Sequence, residues 1–191
     1  MPPKAKFTRE EVIVAALDVV REKGESALTA RELGACLKSS ARPVFTLFSG
    51  MDEVLREVVR AARDLYNNGY IAEGLKETPA FKGVGRAYLR FAVEEPQLFR
   101  LLFMQKHDAS IHSILPILDE NYADILASIT NAYNVSGEQA DRIYRHLWVY
   151  THGIATLVVP GACAFTEEET NGMLTEIFIA LLARTKSEGK A

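Results

Sequence analysis

The chain reads as all-α, with about nine helices, and three observations carry that expectation. Apolar residues recur at spacings of three and four along most of the 191 residues. Ser or Thr stands three residues ahead of Glu or Gln at the start of several of these runs, the spacing of a capping box. No alternating segment is long enough to form a strand, and no repeat or low-complexity tract occurs.

The elements follow in order. Thr8 and Glu11 cap a first helix, Arg9 to about Lys23, whose stripe is Val12, Ile13, Ala16, Leu17 and Val20 and whose stop is Gly24. Thr29 and Glu32 repeat the device for a short second helix ending near Leu37. Gly34 in its middle is costly by roughly 1 kcal/mol relative to Ala, which close approach of another backbone would explain. Lys38, Ser39 and Ser40 make a turn, and Ser40 is the expected cap of a third helix, Ala41 to Phe48, with Pro43 in its first turn. Asp52 and Glu53 open a fourth helix, which fades between Tyr66 and Leu75 among Asn67, Asn68, Gly69 and Gly74. Further helices run from Phe81 to Glu95, Gln97 to Gln105, Ala109 to Tyr133 with a break or kink at Pro116, Ser136 to Val159, and Thr166 to Lys186.

Two short helices around a tight polar turn form the layout of a helix-turn-helix DNA reader. The formal net charge of -3 argues against attraction of the whole chain to nucleic acid, so contact with DNA must be local. Met1 to Arg9 carries Lys4, Lys6 and Arg9 without an acid, and between Leu33 and Met51 the only charges are Lys38 and Arg42. The candidate DNA-binding residues are Thr29, Lys38, Ser39, Ser40, Ala41, Arg42, Phe45 and Thr46, with Val44 and Phe48 facing the module core. Arg42 has the fork that guanine accepts, Ala41 can meet a thymine methyl, and Thr29 at a helix N-terminus suits a phosphate. A plain helical hairpin with a solvated basic turn is the alternative reading of the same spacing.

From Phe7 to Val59 the chain resembles the N-terminal DNA-binding domain of TetR-family transcriptional regulators, through L-T-A-R-E-L-G at the second helix and F-x-x-F ahead of the fourth. The segment YLRFAVEEPQLFRLLF (Tyr88 to Phe103), with Trp148 and His152-Gly153, resembles the regulatory domain of one TetR subgroup, the one with Arg-Pro in the recognition helix. Three departures stand out: the family usually has Gly at Lys38, Tyr at Phe45 and Lys at Met51, so two customary phosphate contacts are missing. The resemblance implies a helix-turn-helix domain over 1–50, joined through the fourth helix to a helical effector-binding and dimerisation domain over 51–191. It further implies a homodimer on double-stranded DNA, most often a repressor released by a small effector. A dimer face is expected at Ile143, Leu147, Tyr150, Ile154 and Val158 with Ile177, Phe178 and Leu181 opposite, and an effector pocket at Phe91, Phe99, Phe103, Tyr122, Trp148 and His152. Ordinary core packing is the alternative for both sets.

No enzyme signature appears: Gly83-Val84-Gly85 lacks both the third Gly and the preceding strand of a dinucleotide loop. No cofactor is expected, and no metal, since His107, His112, His146 and His152 give no i, i+4 pair. Cys36 and Cys163 read as buried thiols of a reducing cytoplasm, and no apolar run is long enough for a membrane helix. A helical interaction or small-molecule-binding module without sequence-specific DNA binding is the remaining alternative.

Overall fold

The computed structural model describes residues 6–105 and 120–188 and is helical throughout them, with no strand among the described residues. Among the described residues the α-helices of six residues or more are nine: α1 (Arg9–Lys23), α2 (Ala30–Cys36), α3 (Arg42–Leu47), α4 (Met51–Asp64), α5 (Ala80–Glu94), α6 (Pro96–Phe103), α7 (Tyr122–Tyr133), α8 (Gly137–Val158) and α9 (Glu167–Glu188). The expected segment from Ala109 to Tyr133 is seen from Tyr122 onward, and its break at Pro116 lies outside the described residues.

Local capping chemistry sets the helix starts. Thr8 with Glu11, Ser136 with Gln139, and Thr166 with Glu169 each exchange both hydrogen bonds of a capping box, at 2.7–3.2 Å. At α2 only half the box forms: Thr29 accepts from the Glu32 N–H at 3.2 Å, but the Glu32 carboxylate goes to the Lys23 ammonium instead. Helix α3 starts later than expected, with Ala41 at its N-cap and no side-chain cap, so Ser40 does not cap it. Pro43, as the second helical residue, gives up an N–H that has no intrahelical acceptor.

The fourth helix does not fade where the Asn and Gly residues gather. It continues as a π-helical turn, Leu65–Ile71, into Ala72–Gly74, because Tyr66, Asn67, Tyr70 and Ile71 are all buried there. Burial of two tyrosines and an isoleucine outweighs the weak helix propensity of Asn67, Asn68 and Gly69.

The chain divides into two compact units, one of residues 1–65 and 95–105, the other of 66–94 and 106–191. That division differs from a boundary at residue 50 because α4 and α6 pack on α1, delivering Val54, Val58, Leu98 and Phe99 to the same core as Val12, Val20, Leu33 and Val44. The second unit packs α5, α7, α8 and α9 together, with Ile125, Ile129, Ile143, Leu147 and Phe178 buried. Both cysteines, expected to be buried, are exposed. No described helix is long and apolar enough to cross a membrane.

Candidate functional site

Gly34 explains how α2 and α3 come together. A Cβ there would stand 3.1 Å from Ala41 N, Ser39 O and Ser40 C, so the turn backbone lies against the helix where only hydrogen fits easily. Val44 is fully buried and Phe48 nearly so, which turns the opposite face of α3 outward. Thr29, Lys38, Ser40, Arg42, Phe45 and Thr46 are exposed, while Ser39 and Ala41 are half-buried. Phe45 keeps 51% of its surface in water, unusual for a ring of that size on so short a helix. Lys38 sits at φ +49°, the left-handed conformation that glycine adopts freely, and this is the position where the resembling family carries Gly.

Charge on this face is positive and uncommitted. Arg42 and Lys38 form no ion pair among the described residues, and Lys6 from the N-terminal arm donates to Ser39 Oγ at 3.1 Å, adding a third cation beside the turn. Thr46 donates its hydroxyl proton to Pro43 O at 2.6 Å, leaving its oxygen to accept.

A clasp that sequence reasoning missed holds α3 from behind. Arg9 donates to Leu47 O at 2.9 Å, to Glu53 at 2.6 Å and to Glu57 at 3.1 Å, and its guanidinium lies 4.2 Å from the Phe48 ring centre. Ser49 closes the ring, its N–H and hydroxyl both donating to Glu53 at 2.7 Å. These Ser49 bonds, then Arg9, hold the Glu53 carboxyl at about 2. The sequence displays Arg9 only as part of a basic terminus and Glu53 only as a helix-start acid, and nothing in the spacing links them. In the same unit, α6 fastens the end of α1: Arg21 pairs with Glu95 at 2.8 Å and Gln105 donates to Glu25 at 2.7 Å.

The expected effector residues are divided between the two units. In the second unit Trp148 stacks on His152 at 4.9 Å, Tyr88 bridges to Trp148 at 6.1 Å and to His152 Nδ1 through a 2.8 Å hydrogen bond, and Phe91 is linked to them through Tyr66 and Tyr88. Tyr66 and Tyr70 extend this aromatic run across Phe91. Burial lowers the His152 pKa and so favours the neutral ring. Tyr122 instead pairs with Tyr144 and Asp141, and Phe99 and Phe103 lie buried in the first unit, 5.2 Å apart. Beside the aromatic run, Asn67 is 2% exposed with neither side-chain N nor O hydrogen-bonded.

Of the expected dimer residues, Ile143, Leu147 and Phe178 form one buried cluster with Ile177 and Leu181 against it, and Ile154 is also buried. They pack within one chain. Tyr150 and Val158 are half-buried, whereas Val149 and Leu157 of α8 and Ile179 of α9 are exposed by 54%, 44% and 59%.

Beside a shallow surface hollow along Glu167 to Glu176, two clefts among the described residues of the second unit lie between helices. One of about 570 Å3 is lined by Glu73, Glu77, Glu94 and Glu167 with Arg86 and Arg90. The other, of about 400 Å3 among α5, α8 and α9, is mostly apolar.

A model described as "Tetracyclin repressor-like, C-terminal domain" matches residues 81–183. A solved member of the TetR family from Streptomyces coelicolor A3 superposes with a TM-score of 0.59 at 17% identity, covering 88% of this chain and 96% of that one. No curated protein matches in sequence. The family match takes in most of the residues lining both clefts and spans more than half of the chain, and the protein therefore belongs to the TetR family.

Proposed function

We propose that the protein is a ligand-responsive transcriptional regulator, a repressor that binds operator DNA as a homodimer and leaves it when a small effector occupies the second unit. The observation that carries this reading is the outward, positively charged face from Lys38 to Thr46 on a helix anchored by Val44 and Phe48. Arg42 donates to a base edge, Ala41 meets a thymine methyl, and Thr29, Lys38, Ser39, Ser40, Phe45 and Thr46 lie along the backbone and groove walls. Lys6 joins them through its bond to Ser39. The protein works by binding and not by catalysis, in the cytoplasm where its DNA lies.

Two copies must present their α3 helices about one DNA turn apart, roughly 34–36 Å. The dimer face uses the accessible side of α8 and α9: Tyr150, Val158, Ile177 and Leu181 with the exposed Val149 and Leu157. Buried Ile143, Leu147, Ile154 and Phe178 support that face from beneath. Any ligand that alters the helix spacing then lowers operator affinity.

Fluorescence anisotropy with the DNA upstream of the gene tests the reading. Saturable, salt-sensitive binding that prefers this sequence, and that falls when Lys38 and Arg42 become Ala, is expected. Binding indifferent to both substitutions, or a monomer by sedimentation at working concentration, overturns it.

A further inference from the structure

We infer that the apolar cleft among α5, α8 and α9 is the effector seat, and that it takes an amphipathic monoanion, an apolar tail carrying a carboxylate head. The inference rests on the ligand-responsive reading above and names the ligand's chemistry. At about 400 Å3 the cleft falls within the range of small-molecule sites, about 300–1,000 Å3. Its walls are apolar side chains such as Phe81, Leu174, Phe178 and Leu182. Lys82 and Arg86 are its charged lining residues, and no carboxylate lines it.

The two cations differ in what they offer. Arg86 is committed, donating to Glu77 at 2.9 Å and to Glu167 at 2.6 Å. Lys82, one helical turn away, is exposed and pairs with no carboxylate among the described residues, so its ammonium is the charge available at the cleft's edge. The neighbouring cleft, with four carboxylates against two guanidinia, carries the opposite balance and would repel such a ligand.

Gly85 is the independent observation. It sits in the interior of α5, where Gly costs roughly 1 kcal/mol against Ala. Backbone packing explains Gly83 two residues before it, since a Cβ there would stand 2.1 Å from Gly74 O. At Gly85 the same added atom meets only Leu174 Cδ1, at an ordinary 3.8 Å. The fold therefore has no need of Gly85, whereas a large side chain at this lining position would take up space in the cleft.

The test uses the full chain and three probes of equal tail length below their micelle concentrations: dodecanoate, dodecanol and dodecyltrimethylammonium, titrated by calorimetry. Dodecanoate is expected to bind saturably, one per chain, and more tightly than the other two. Lys82→Gln should weaken dodecanoate about fivefold and leave dodecanol unchanged. Gly85→Leu should abolish binding, whereas Gly85→Ala should keep it and confirm by its melting curve that the position tolerates a side chain. Absent or unsaturable binding, a Gly85→Leu variant that binds as wild type, or a carboxylate preference that survives Lys82→Gln would overturn the assignment. Loss of the dimer in Gly85→Leu would overturn it too, by making a second copy the occupant. Dodecanoate binding without any operator binding would sink the regulator reading and leave the site standing, while operator binding without dodecanoate binding would do the reverse.

Discussion

Asn67 gives the sharpest quantitative test of the packing argument. Its amide is 2% exposed, and neither its donor nor its acceptor has a hydrogen-bond partner. A buried polar group left in that state costs about 1–3 kcal/mol, because water bonds are lost and nothing replaces them. Leu keeps the same branched arrangement of side-chain heavy atoms, though bulkier, and removes both orphaned polar atoms, so Asn67→Leu should stabilise the protein by about 2 kcal/mol. For a chain of this size that corresponds to a rise in Tm of about 4–8 °C. Asn68, its exposed neighbour in the same π turn, provides the control: Asn68→Leu should stay within about 0.5 kcal/mol of wild type. Circular-dichroism melting of the three proteins at matched concentration decides the matter. If Asn67→Leu melts at or below wild type while Asn68→Leu is neutral, the amide has a partner after all and the orphan argument fails.

Replacing Glu53 by Gln removes the centre of the Arg9 clasp. Because the Glu53 carboxyl is held at about 2 against an ordinary 4.5, its contribution is complete above about pH 4.5 and lost as pH falls toward 2. The Tm gap between wild type and Glu53→Gln should thus be widest near neutrality and shrink below about pH 4.5, and a gap constant down to about pH 2.5 would refute it. Lys38→Gly should relieve the left-handed backbone and stabilise the fold by about 1 kcal/mol in urea melts, yet weaken operator binding and reduce the salt slope by about 0.9. Phe45→Tyr adds a phosphate donor at a half-exposed ring, so anisotropy should show about tenfold tighter binding to operator and non-specific DNA alike, without loss of stability.

What the sequence disclosed was whatever is decided within a few residues. The three complete capping boxes, the stop at Gly24, and the packing reason for Gly34 all follow from neighbours in the chain or one turn away. The half box at Thr29 was not legible, since Glu32 answers to Lys23, nine residues back. Nor was the π turn: Asn-Asn-Gly carries every local mark of a helix end, and only the burial of Tyr66, Tyr70 and Ile71 overrides it. The dimer stripe is ambiguous for a different reason. An apolar face at helical spacing looks the same whether it meets the helices of its own chain or those of a second copy, and Ile143, Leu147 and Phe178 meet their own. Grouping Phe99 and Phe103 with Phe91 required knowing that the chain returns to the first unit after Glu94.

On the reading of α3 as a recognition helix, the residues that position it need not touch DNA. Helix α3 has six residues, no side-chain cap and few intrahelical hydrogen bonds, so it would not persist alone. Its position comes from three supports lying behind it: the notch at Gly34, the burial of Val44 and Phe48, and the Arg9–Glu53–Ser49 ring. The outer face is thereby free to carry exposed cations and hydroxyls that add nothing to stability, and in Lys38 a residue that subtracts from it. Substitutions behind the helix should therefore weaken binding to every DNA sequence together, and only those on its outer face should change which sequence is preferred.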